Sequence, residues 1–185
     1  RISAIRNARG EISHYCSVIS DISDLKEKER RLEYMAFHDE LTGLTNRKLL
    51  TDRLQQAIAR CRRNVREVIG LCYLDLDNFK AVNDEWGHDT GDALLREIAD
   101  RLKRCVRAGD TVARLGGDEF VVLLCDLEHR NEVDHAVGRM MQAISMPHQL
   151  KGLAMEVTMS VGVVIFPWDE TDEPDVLLRH ADQAM

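Results

Sequence analysis

The chain has 185 residues, 44% of them hydrophobic and 31% charged, with a net charge of -7. That apolar content suits one ordinary domain plus an appendage, and an acidic chain with no long Lys/Arg run excludes tracking of a nucleic-acid backbone. No apolar stretch approaches the ~20 residues of a membrane helix, no signal peptide opens the chain, and five cysteines without a C-x-x-C pair (16, 61, 72, 105 and 125) read as reduced core residues of a cytoplasmic protein.

In chain order, Ile12 to Ile22 alternates apolar and polar residues, as a half-buried strand does. Asp24 is placed to cap the following segment, where Leu25, Leu32, Tyr34 and Met35 make an apolar stripe along a charged run. A helix of about a dozen residues is marginal alone, so this one is expected to pair, with its own copy as one candidate. Asn46 then caps a helix running to about Arg63, whose solvated end carries Arg60, Arg62 and Arg63. Val68 to Leu76 is a continuous apolar run, the signature of a strand buried on both faces. A helical pattern covers Gly91 to Val106, and another Asn131 to Ile144. Strands are expected near Met155 to Phe166, and a last helix begins near Asp175 with Pro174 at its first turn. Trp86 and Trp168 are expected to pack against neighbouring chain, Met140, Met141, Met155 and Met159 to fill gaps in the core, and His88 to steady a loop by a hydrogen bond. Together the pattern predicts an α+β sandwich, a mostly antiparallel central sheet flanked by helices. Arg1 opens the chain without a Met and Met185 falls inside a helical pattern, which reads as a piece of a longer protein.

The chemistry concentrates at Arg114-Leu115-Gly116-Gly117-Asp118-Glu119-Phe120. The glycine pair between two apolar runs predicts a tight hairpin turn, with glycine supplying positive φ. Adjacent carboxylates at Asp118 and Glu119 repel each other and need a compensating cation. Asp75 ends a buried strand; alone it reads equally as an ordinary loop residue, but beside Asp118 and Glu119 it completes a set of hard oxygens that suits Mg²⁺. Two ions bridged by carboxylates clamp the oxygens of an in-line phosphoryl displacement, and a bare glycine backbone lets a phosphate approach. Asn83 and Asp92, near the anchoring Phe79 and Val82, are either helix caps or polar groups aimed into a pocket. In a pocket, a carboxylate would accept both the N1–H and the amino group of guanine, a pairing that adenine cannot offer.

At these residues the chain resembles the GGDEF, or diguanylate cyclase, domain of bacterial signalling proteins. The likeness runs through Asp39-x-Leu41-Thr42-Gly43-Leu44-x-Asn46-Arg47, Asp75-Leu76-Asp77-x-Phe79-Lys80-x-Val82-Asn83-Asp84, Gly87-His88-x-x-Gly91-Asp92 and Arg114-x-Gly116-Gly117-Asp118-Glu119-Phe120. It continues in Thr158-x-Ser160-Val161-Gly162 and Ala181-Asp182-x-Ala184-Met185. The resemblance implies a palm-type, nucleotidyl-cyclase-like sheet and the condensation of two GTP into cyclic di-GMP with release of pyrophosphate. It implies that Asp75, Asp118 and the Leu76 carbonyl hold Mg²⁺, or Mn²⁺ in its place, with Glu119 supporting the metal or activating the 3′-hydroxyl. Phe79 and Lys80 would shape the nucleotide pocket, Asn83 and Asp92 would read guanine, and Gly116 and Gly117 would admit the α-phosphate. Because each subunit holds one GTP, two active faces must oppose each other across a homodimer. Arg107-x-x-Asp110 stands at the spacing of the family's product-inhibition site, implying feedback by cyclic di-GMP.

Residues 1–23, with Ile5-Arg6-Asn7 and Gly10-Glu11-Ile12, resemble the end of a PAS sensory domain, 24–37 a linker helix, and 38–185 the GGDEF domain stopped short of its end. The family continues with lysine and arginine groups that hold the β/γ-phosphates, so weaker GTP binding is expected of this chain than of a longer one. Thr45 stands where proline is usual, a change expected to cost little. Segments around Pro147-His148 and Phe166-Pro167 look like variants followed by an EAL phosphodiesterase domain. The alternative function is therefore a GTP- or cyclic di-GMP-binding module that regulates such a domain.

Overall fold

A computed structural model describes residues 2–17, 22–64, 67–150, 152–168 and 171–185, in two compact units, Arg1–Ala36 and Phe37–Met185. The first holds an antiparallel pair, β1 (Ile2–Arg6) and β2 (Ile12–Ser17), and most of helix α1 (Ser23–Phe37). The β1–β2 turn is closed by Asn7, whose side-chain oxygen accepts from the amides of Arg9 and Glu11. The strand expected to Ile22 is seen to Ser17; Val18 to Asp21 lie outside the described residues, as does the Cys16 side chain. Asp24 is not the cap of α1, because the helix already begins at Ser23 and Asp24 sits in its first turn. The stripe of α1 is exposed in its own unit, with Leu25 and Leu32 each at 66%.

The second unit opens on a turn that leads to Asn46. Asn46 caps α2 (Arg47–Arg63) as expected, its side-chain oxygen accepting from the Leu49 amide at 3.1 Å and satisfying one of the free donors of a helix start. β3 (Val68–Leu76) follows, then α3 (Phe79–Trp86), α4 (His88–Cys105), β4 (Thr111–Gly116) and β5 (Glu119–Leu127). The chain closes with α5 (Asn131–Ser145), a small hairpin of β6 (His148–Leu150) and β7 (Leu153–Met155), β8 (Met159–Phe166) and α6 (Pro174–Gln183). The main sheet has the order β4-β5-β3-β8 with every neighbour antiparallel, the fold class expected.

β3 lies inside this sheet for the reason its sequence gives: an unbroken apolar run can be buried on both faces. Cys72, Leu74 and Leu76 turn to one face with Leu94, Leu95, Ile98 and Leu102 of α4 and Val133, Met140 and Ile144 of α5. Ile69, Leu71 and Tyr73 turn to the other, with Leu50, Leu54 and Ile58 of α2 and Leu177 and Leu178 of α6. Each fully buried Leu or Ile adds roughly 1.5–3 kcal/mol, so the two apolar layers fix the register of the sheet, since a one-residue slip would exchange its faces. Gly162 of β8 is where α6 docks: a Cβ there would overlap the Ala181 carbonyl oxygen.

Several expectations are corrected. α4 starts at His88, a turn earlier than Gly91, and no side chain caps it. Trp86 and Trp168 are 43% and 62% exposed rather than packed. Met141 is exposed, while Met140 and Met159 are core. Cys61, Cys72 and Cys125 are buried free thiols, and burial pushes Cys72 up to about 12, which leaves it inert. No helix among the described residues is long and apolar enough to cross a membrane.

Candidate functional site

Antiparallel pairing brings the acids together. Asp75 of β3 stands directly opposite Glu119 of β5, so their side chains leave the same face of the sheet some 5 Å apart. Tyr73, two residues back, shares that face and is buried. Burial raises the Asp75 carboxyl, and the charges that raise it further are, in order, Asp118, Glu119, Asp77 and Asp182. Burial and then Glu119, with which it hydrogen-bonds, push the Tyr73 phenol up to about 12, Asp182 adding to the rise and Arg47 opposing it. An acidic edge of this kind stores like-charge repulsion.

The donor set fits a divalent ion. Asp75 and Glu119 are paired across the strands, and the largest charges acting on Asp75 are all negative. Among the described residues, no group of three or more His, Cys, Asp or Glu side chains could hold a metal ion by itself. Any Mg²⁺ here would therefore have to complete its shell with water and substrate phosphates around one or two carboxylates. The Leu76 side chain is apolar and belongs to the core, at 3% exposure, so any bond from this residue to an ion would come from its backbone carbonyl.

The hairpin turn is one residue later than its sequence suggests. Gly116 pairs with Glu119, so the central residues are Gly117 and Asp118. Gly117 has φ 51 and Asp118 is not among the positive-φ residues, the backbone pattern of a two-residue II′ connection. Arg114 crosses this turn. Its Nε and Nη2 donate to the Gly117 carbonyl at 3.0 and 2.7 Å, and its Nη1 meets both Asp39 oxygens at 3.0 Å.

The remaining residues of the expected pocket follow β3 directly. Asn78, left-handed at φ 60, turns the chain from β3 into α3, a conformation asparagine tolerates better than most. Asn83 of α3 lies against the Gly91 backbone, since a Cβ at Gly91 would overlap its Oδ1; this sets Asn83 beside the position of Asp92. Asp92 is a full turn inside α4 and caps nothing. Lys80 is exposed. Phe79 is a core side chain whose ring tip lies against Gly91, beside Asn83. His88 is exposed at the start of α4, and the hydrogen bond expected of it is not found among the described residues. A cavity of about 640 Å³, lined in part by Arg130, Val163, Trp168 and His180, lies toward the far end of β8 from these acids.

Arg107 and Asp110 share the turn between α4 and β4. Asp110 accepts the Arg107 amide at 2.8 Å and, with its other oxygen, the Cys125 amide of β5 at 3.0 Å. The Arg107 guanidinium is two-thirds exposed and meets Glu132 of α5 at 3.3 Å.

Three groups at the site were given no role on the sequence alone: Tyr73, Asp182 and the Arg114–Asp39 pair. Asp182 and Arg114 lie within recurrent motifs, but a motif carries no distance. Tyr73 could have been found from strand alternation, since two residues before Asp75 means the same face. Thr45, expected to cost little in place of proline, is buried, and its hydroxyl donates to Val112 O at 2.9 Å and its amide to the same oxygen at 3.3 Å, contacts that proline lacks.

Known proteins share this fold. MucR of Pseudomonas aeruginosa, a bifunctional diguanylate cyclase/cyclic di-GMP phosphodiesterase, is 42% identical over 165 residues, covering 88% of this chain and 23% of MucR. The isolated GGDEF domain of TpbB from Pseudomonas aeruginosa superposes with a TM-score of 0.76 at 36% identity, covering 80% of this chain and 85% of that one. The coiled coil and GGDEF domain of DgcB from Caulobacter crescentus, solved in complex with c-di-GMP, gives a TM-score of 0.76 at 28% identity, covering 88% of this chain and 85% of that one. The chain thus spans about a quarter of the length of curated relatives such as MucR. Residues 36–185 match the family described as "Diguanylate cyclase, GGDEF domain", and the chain belongs to that family.

Proposed function

We propose that this domain condenses two molecules of GTP into cyclic di-GMP, releasing pyrophosphate twice, as one half of a homodimer in the cytoplasm. The observation that carries the reading is the pairing of Asp75 with Glu119 beside the turn that presents Asp118. Asp75, Asp118, Glu119 and the Leu76 carbonyl would hold Mg²⁺ or Mn²⁺, which when bound neutralises the triphosphate and aligns attacking and leaving oxygens. Gly116 and Gly117 leave room for a phosphate against the backbone. Lys80, on the exposed side of α3, meets phosphate charge, and Asn83 with Asp92 accepts the guanine edge; a pocket built to pair those hydrogens rejects a base that lacks them. Holding two substrates face to face converts a bimolecular attack into an effectively unimolecular one, which is the part a dimer contributes. Arg107 and Asp110 form the product-binding turn: the arginine fork suits the O6/N7 edge of guanine, and occupancy there slows synthesis.

The test is direct. Incubated with GTP and Mg²⁺, the protein yields cyclic di-GMP on chromatography, and Asp118→Ala yields none. Equal product from that variant would overturn the assignment. A second reading has in its favour relatives of 34% and 37% identity that are named as cyclic di-GMP phosphodiesterases: a nucleotide-binding module acting on a phosphodiesterase domain. It predicts GTP binding without product from the unaltered protein.

A further inference from the structure

A glycine-rich turn gives a phosphate access at the cost of definition. In a two-residue hairpin, the peptide between the central residues is the one whose flip interconverts turn types, and a glycine at the first position removes the steric barrier to that flip. Here that peptide joins Gly117 to Asp118. Its carbonyl is the group on which Arg114 closes two N–H donors, at 3.0 and 2.7 Å. Because a trans peptide is planar with C=O and N–H opposed, fixing the Gly117 oxygen also fixes the direction of the Asp118 amide and the path on which Asp118 leaves the turn.

Arg114 is itself held. Its Nη1 spans both oxygens of Asp39, 75 residues earlier, and the two side chains are 11% and 21% exposed. Asp39 is built into a compact turn: one oxygen accepts the Thr42 amide at 2.9 Å and hydroxyl at 2.6 Å, and the Gly43 amide donates to its carbonyl. Burial would raise the Asp39 carboxyl, but the hydrogen bonds from Thr42 and Arg114 outweigh it and hold it below its usual value. The same turn is fastened to the outer edge of β4, where Thr45 donates to Val112 O and accepts from the Arg114 amide. A rigid chain of contacts therefore runs from the first residues of the domain to one peptide of the acidic turn.

We propose that Asp39 and Arg114 are positioning residues that lock the Gly117–Asp118 peptide in the orientation required for catalysis, so that the opening turn of the domain sets the geometry of its active hairpin. This rests on the cyclase reading above. Neither side chain needs to touch substrate. The pair acts through the turn, and displacement of the segment around Asp39 releases the lock without removing any metal- or nucleotide-binding group.

Two measurements test it. In Arg114→Lys, one ammonium cannot both pair with Asp39 and fork onto Gly117, so kcat for cyclic di-GMP formation is expected to fall tenfold or more while the Kd for GTP changes less than threefold. Asp39→Asn gives a smaller fall, and the double variant falls no further than Arg114→Lys, because the two act as one unit. Wild-type kcat in Arg114→Lys, or losses that multiply in the double variant, would overturn the proposal. Independently of turnover, the ¹⁵N amide signals of Gly117 and Asp118 should broaden by exchange in Arg114→Lys while core signals stay sharp; unchanged turn signals would also overturn it. If the unaltered protein makes no product, the cyclase reading fails, and the amide measurement still decides whether Arg114 locks the turn.

Discussion

Two parts of this domain handle charge in opposite ways. At the acidic edge, Asp75 faces Glu119 across a strand pair, and Asp77, Asp118 and Asp182 add to the repulsion. At the seam where α4 meets the end of α5 and β6, charge is matched. Arg101 pairs with Glu97 at 2.5 Å and donates to the carbonyls of Ala143 and Pro147 at 2.8 Å each, and to that of Met146. The seam spends its polar groups on holding elements together. The edge instead gathers negative charge around Asp75 with no cation among the charges that act on it most, which raises its carboxyl and lowers stability.

Breaking the edge gives the largest contrast. Asp75→Asn removes one carboxylate, and cyclase activity should fall on the order of 10³-fold, the scale on which loss of one preorganised electrostatic contact acts. The same variant should melt higher when no metal is present. The sign follows from the raised carboxyl: the folded state disfavours the charged form, so Asp75 lowers stability above its folded pKa, and the penalty fades as pH falls through that value. A gain of about 1 kcal/mol corresponds to roughly 2–4 °C in Tm for a domain of this size. Calorimetry at pH 7 and again under acid tests this; a Tm at pH 7 no higher than the parent's would mean the edge is not strained.

Breaking the seam should do the reverse. Arg101 is 15% exposed, and Arg101→Ala strands Glu97 and three carbonyls at once. Loss of a partly buried, charge-assisted network of this size costs about 3 kcal/mol. Chemical denaturation should show the midpoint lowered with an unchanged m-value, because the surface exposed on unfolding is the same. GTP binding, which the proposed function assigns to the other end of α4, should survive in the folded fraction.

The contrast also explains what could be read from the sequence. The Asn46 cap, the double-sided burial of β3 and the paired acids are local patterns, each legible within a few residues. The turn centre falls at Gly117–Asp118, one residue later than the glycine pair suggests, because Gly116 belongs to the ladder through its pairing with Glu119. β6 and β7, three residues each, are too short to show a period. Asp182, Tyr73 and the bond from Arg114 to Asp39 depend on tertiary approach; Gly162, which lets α6 settle on β8, announces only that something comes close.

The smallest effect lies inside the seam and turns on His148, which is fully buried. Its Nε2–H donates to Ile144 O at 2.9 Å, so in the neutral ring Nδ1 carries a lone pair, 3.4 Å from Glu97 and without a hydrogen-bond partner. Protonation would give Glu97 a donor, but it would also bury a cation beside Arg101. Burial is the stronger influence and Arg101 adds to it, against the Ile144 carbonyl and Glu97, so the ring titrates below its ordinary value. The folded state then binds fewer protons than the unfolded chain. His148's contribution is complete above the unfolded value of about 6.5 and is lost as pH falls from there toward the folded value. His148→Leu should therefore melt a few degrees lower at pH 7.5, having left the Ile144 carbonyl without its donor, yet lose less Tm than the parent between pH 7.5 and 5.5. The other histidines are common to both proteins and cancel in the difference. Parallel profiles would show that the buried ring takes up its proton as the unfolded chain does, with Glu97 and the Ile144 carbonyl offsetting the cost of burial.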